Sequence, residues 1–107
     1  MIGSKAVRQI LYSLRKEAEQ VLGKNLVDIF LFGSYAREDF TAESDIDILI
    51  VVNKSLTREE KNKMSCIISA LSLENEVVIA YVIYKKEFFD NVGTPLILNV
   101  KEEGVKG

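Results

Sequence analysis

The chain has 107 residues and a formal net charge of −2, from 14 basic and 16 acidic side chains. Its 48% hydrophobic and 28% charged content is that of a globular protein and excludes intrinsic disorder, while the near balance of charge argues against direct nucleic-acid binding. The absence of histidine excludes His-based triads, His–zinc sites and a His general base, and the single Cys66 excludes an internal disulfide and favours a reducing compartment.

The length predicts one domain over residues 1–107. Val7, Ile10, Leu11, Leu14, Ala18, Val21 and Leu22 recur at helical spacing, so a helix is expected over residues 4–22, with Ser4 as N-cap and Gly23 as stop. Residues 26–32 form a short apolar run that reads as a buried strand. The polar segment 34–44 is expected to hold a helical turn and then a loop. Residues 45–52, DIDILIVV, read as a second strand with an acidic start. Thr57-Arg58-Glu59-Glu60 fits a capping box, and Met64, Ile67, Ile68 and Leu71 continue as that helix's apolar face. A third strand is expected over 77–83, a short helix from 85, and another after Thr94-Pro95.

This order predicts a small α/β domain, with a mixed sheet of three or slightly more strands and helices on one face. Charges interrupt the N-terminal segment, and no stretch approaches the roughly 20 apolar residues of a membrane span. The expectation is a cytoplasmic protein with no membrane contact.

Two places stand out chemically. Asp45 and Asp47 alternate at the start of a strand, so they share one face, about 6.5–7 Å apart along it. Aspartate is depleted in strands. A pair on one face suits Mg²⁺, which takes carboxylate, phosphate and water oxygens, and two such ions suit phosphoryl or nucleotidyl displacement. The plainer reading is a solvated strand entrance with Asp45 capping a turn. Gly33-Ser34 follows a strand directly. Glycine allows close backbone approach, Ser34 adds a hydroxyl, and Arg37 adds a permanent charge one turn on, so the three could hold a triphosphate. The plainer reading here is a strand-to-helix turn with Ser34 as N-cap.

The combined spacing is G-S-x10-D-x-D. GSYARED followed by SDIDILIVV resembles the nucleotidyltransferase superfamily related to DNA polymerase beta. Within it the chain looks like the minimal nucleotidyltransferases, partners of HEPN-domain proteins in prokaryotic toxin–antitoxin pairs. The likeness is strongest over residues 26–52. It implies a nucleotidyltransferase fold, Mg²⁺ (two ions) and ATP or another NTP. Gly33 and Ser34 match the family's phosphate-contacting turn, and Arg37 the arginine of its GSxARG run, whose next glycine is Glu38 here. Asp45 and Asp47 match the two metal-binding aspartates, and Ser44 the small polar residue often found before them. The family's usual third carboxylate, on the next strand, falls near Ala80 and is missing. Glu76 has the same strand parity but lies about 13 Å away.

The resemblance implies transfer of a nucleoside monophosphate to a hydroxyl, with a side chain of a HEPN partner as acceptor and the chain as antitoxin. The missing acid favours a rival, a binding protein that neutralises its partner by docking over a relic nucleotide site. Transfer to tRNA or an antibiotic ranks below both, since 107 residues offer no obvious second module to select such a substrate. A homo-oligomer is left open. Elsewhere, Tyr81 and Tyr84 read as packing residues, Cys66 as a buried structural thiol, and Arg8, Arg15, Lys16, Lys85 and Lys86 as solvated surface. Phe88, Phe89, Leu96 and Leu98 read as completing a small core.

Overall fold

In the computed structural model, which describes residues 4–37 and 45–107, helix α1 runs over Ser4–Leu22. Its stripe Val7, Ile10, Leu11, Leu14, Ala18 and Leu22 is buried. A single 3-10 turn, Gly23–Asn25, reverses the chain into β1, Leu26–Phe32. The short helix α2, Ser34–Arg37, follows, and then β2, Ile46–Val52. Glu38 and Ser44 lie outside the described residues.

Helix α3, Arg58–Glu74, begins with the expected capping box: Thr57 Oγ1 accepts from the Glu60 N–H (3.1 Å), and the Thr57 N–H donates to Glu60 Oε1 (2.8 Å). Two orphan donors of the helix start are thereby satisfied. Strand β3, Ile79–Lys85, then leads into α4, Lys86–Asn91. Helix α5, Pro95–Glu103, is capped by Thr94 with Pro at its first turn, and the two-residue β4, Val105–Lys106, follows it.

The strands lie in the order β3-β2-β1-β4. β1 is antiparallel to β2 and to β4, whereas β2 and β3 are parallel through the α3 crossover. β2 is thus interior. Six of its seven residues are buried and the exception is Asp47.

Helices cover both faces of the sheet, not one as expected. α1 and α3 pack on Ile29, Leu31, Ile46, Ile48, Ile50 and Val52. Leu49 and Val51 point the other way, into a second core completed by Val100, Phe89 and Leu96 of α4 and α5. A strand covered on both faces needs no polar alternation, which accounts for the unbroken run ILIVV.

Four further expectations are corrected. β3 starts at Ile79, two residues late, because Val77 closes the end of α3: its N–H donates to Ser72 O, and its own carbonyl accepts from Ser72 Oγ. Glu76 adopts φ +50° in that turn and has no strand parity at all. Cys66 is exposed. Phe89 and Leu96 do complete a core, but Phe88 (38%) and Leu98 (51%) stay exposed. No helix among the described residues is long and apolar enough to cross a membrane.

Candidate functional site

The site is built where β1 ends and β2 begins, because antiparallel neighbours bring those two ends together. Phe32 pairs with Asp47, and the chain turns at Gly33 immediately beyond. Gly33 has φ +76°, a conformation that costs any other residue steric strain. It also leaves no space for a side chain. A Cβ there would overlap the Asp47 Oδ2 outright and lie 3.2 Å from Asp47 Cγ. The Asp47 carboxylate therefore rests on the glycine backbone.

The Gly33 carbonyl accepts from the N–H groups of Ala36 (3.1 Å) and Arg37 (3.2 Å), winding α2 into a single turn. Tyr35, 6% exposed, and Ala36 pin that turn to the first core. Ser34 is half-buried. Arg37 reaches across to the last turn of α5, where its Nη1 lies 3.4 Å from Glu103 Oε2.

Asp45 stands one residue before β2 and is exposed, while Asp47 is half-buried. Burial raises the Asp47 carboxyl above its ordinary value. The neighbouring Asp45 charge raises it further, and Arg37 draws it partly back. Asp47 thus feels both Asp45 and Arg37, and with Gly33 and Ser34 these residues occupy one corner. All five residues singled out in the sequence meet there.

On the other side of Asp47 stands β3, with Ala80 directly in register. The expected place of a third acid is therefore opposite Asp47, and it carries a methyl group. Among the described residues, no group of three or more acidic or thiol side chains is close enough to hold a metal ion. Among the described residues, Asp45 and Asp47 are the two carboxylates at this corner. Their mutual repulsion is what a hard divalent cation would relieve, and oxygen-only donors suit Mg²⁺. Glu103 goes unmarked in the sequence: it is 66 positions from Arg37, and no local pattern points to it.

Residues 11–106 match the profile of the family described as "Nucleotidyltransferase domain". A protein of Methanocaldococcus jannaschii named "Putative protein adenylyltransferase" is 38% identical over 98 residues, covering 92% of this chain and 95% of that one. A chain in the crystal structure of a toxin–antitoxin with AMP-PNP superposes with TM-score 0.61 at 20% identity, over 98% of this chain and 72% of that one. A chain from the complex of tri-AMPylated Shewanella oneidensis HEPN toxin with MNT antitoxin gives TM-score 0.56 at 19% identity, over 92% and 69%. The two structures speak to the fold, which is the nucleotidyltransferase fold expected from the motif.

Proposed function

The chain belongs to the nucleotidyltransferase domain family, and from that premise we propose that it transfers AMP from ATP to a hydroxyl with Mg²⁺ as cofactor. The observation that carries this reading is the seating of the Asp47 carboxylate on the Gly33 backbone. A metal-type donor and a phosphate-type turn are thereby in contact. In this reading Asp45 and Asp47 hold the cation. The bare Gly33 backbone admits the phosphates, the Ser34 hydroxyl donates to one of them, and Arg37 neutralises charge on the triphosphate. Bound Mg²⁺ supplies polarisation of the α-phosphate and neutralisation of the pyrophosphate leaving group.

We place the acceptor hydroxyl on a HEPN-domain partner, which makes the chain an antitoxin. The name of the Methanocaldococcus relative and the AMPylated toxin beside its MNT antitoxin support that choice. Ala80 favours a second reading. With a methyl group where a carboxylate would draw off the acceptor's proton, the chain binds nucleotide and neutralises its partner by docking alone.

Incubation with α-labelled ATP, Mg²⁺ and a lysate of the source cells separates the two. Transfer predicts label on a protein that is lost in the Asp45→Asn/Asp47→Asn double variant. Intact ATP binding with no label on anything selects docking. In calorimetry, Asp45→Asn or Asp47→Asn is expected to abolish Mg²⁺-dependent ATP binding while the fold persists. Unchanged affinity in both removes the site.

A further inference from the structure

The structure brings one more charged group to this end of the sheet. Glu103 lies in the last turn of α5, and its carboxylate meets the Arg37 guanidinium at 3.4 Å. Glu103 is held in place from both sides. Val100, one turn earlier, is 1% exposed within the second core. The next residue is Gly104, whose N–H donates to Val100 O at 2.8 Å. A Cβ on Gly104 would collide with that same carbonyl, so the chain passes tightly there. Beyond it, Val105 and Lys106 pair with Leu31 and Phe30 of β1.

A carboxylate and a phosphate present the same chemistry to a guanidinium: anionic oxygens that accept its N–H groups, with the planar fork suited to either. Resting on the nucleotide reading above, we propose that Glu103 is a competitor for Arg37 built into the fold. Its carboxylate engages the guanidinium when no nucleotide is bound, and a triphosphate oxygen takes its place on binding. Glu103 thereby sets the affinity for nucleotide without touching it. The two side chains are 39% and 43% exposed, so solvent screens the pair and the effect is a few-fold, not orders of magnitude.

The test is titration calorimetry at low ionic strength, with Mg²⁺–ATP and separately with tripolyphosphate. The proteins are the unmodified chain, Glu103→Gln, Arg37→Gln and the double variant, with thermal melts to confirm folding. Glu103→Gln is expected to tighten binding about three-fold when Arg37 is present. That gain is expected to disappear in the Arg37→Gln background. Glu103→Ala is expected to repeat the pattern, as a second route to the same loss of charge. Equal or weaker binding by both Glu103 variants, while the unmodified chain binds ATP, overturns the competitor and leaves the site standing. So does an identical gain with and without Arg37. Absence of ATP binding in all the proteins overturns the site reading and the competitor together.

Discussion

A methyl group added at Gly33 meets two obstacles at once. The φ of +76° costs an alanine about 1–2 kcal/mol, and the new Cβ overlaps the Asp47 carboxylate. Gly23 separates these effects, since it has φ +56° but nothing within 4 Å of where a Cβ would stand. Both Gly33→Ala and Gly23→Ala are therefore expected to lower stability, Gly33→Ala by more because it adds the overlap to the same backbone strain, read by urea unfolding. Only Gly33→Ala is expected to weaken Mg²⁺–ATP binding, by about ten-fold or more, because only there must a ligand side chain move. Asp47 carries an opposite expectation. Burial and the Asp45 charge raise its carboxyl in the folded state, so the folded protein holds its proton more tightly than the unfolded chain does. Stability must then fall as pH rises from the ordinary value of 3.8 through the raised one. Asp47→Asn removes that penalty and is expected to melt higher than the unmodified chain at pH 7. The advantage should shrink as pH falls toward 3.8, and an Asp47→Asn melt below that of the unmodified chain at pH 7 would sink the argument. At this scale, glycine, serine and both aspartates are readable in the sequence because one short motif joins them. The exposure of Cys66 is legible as well: position 66, two residues past the buried Met64, falls on the opposite side of the helix, and the general preference of thiols for burial does not outweigh that spacing.

Among the elements, α3 is legible to the residue. A Thr followed three positions later by Glu carries its own hydrogen-bonding logic, and both bonds form. Thr57→Ala is expected to cost about 1 kcal/mol, a fall in melting temperature of about 4–8 °C for a chain of this size. Strand β3 is less legible. Val77 and Val78 have strand character, but Val77 is tied to Ser72 at the helix end and Val78 only lends its carbonyl to the Ile46 N–H at 2.9 Å. An apolar pair cannot announce that its hydrogen bonds go elsewhere. The register of β3 nevertheless places Ala80 opposite Asp47. Ala80→Asp is therefore expected to bring a third carboxylate to the pair and to tighten Mg²⁺ binding, measured by calorimetry. It should also introduce or raise label transfer. Unchanged metal affinity in a folded Ala80→Asp variant counts against the register as the reason for the missing acid.

At the scale of the whole molecule, the sheet is a middle layer, where the sequence had suggested helices on one side alone. A strand with water on one face alternates apolar with polar side chains, whereas Ile48 through Val52 is apolar throughout. The signal for two covered faces is present in that run. What the sequence does not display is the cover, because α4 and α5 are short and expose Phe88 and Leu98 on their outer sides. Their inner sides suffice: Leu49 and Val51 are only 0% and 1% exposed, packed against Val100, Phe89 and Leu96. The arrangement makes a comparison of neighbours decisive. Ile48 and Leu49 are both fully buried, yet they point into different cores. If α5 did not close the second face, Leu49→Ala would trim a solvent-facing side chain and change little. With the face closed, Leu49→Ala is expected to cost about 2–5 kcal/mol, as Ile48→Ala does. Urea unfolding of the two variants checks this. A near-neutral Leu49→Ala beside a costly Ile48→Ala would remove α5 from the sheet, and with it the support that holds Glu103 against Arg37.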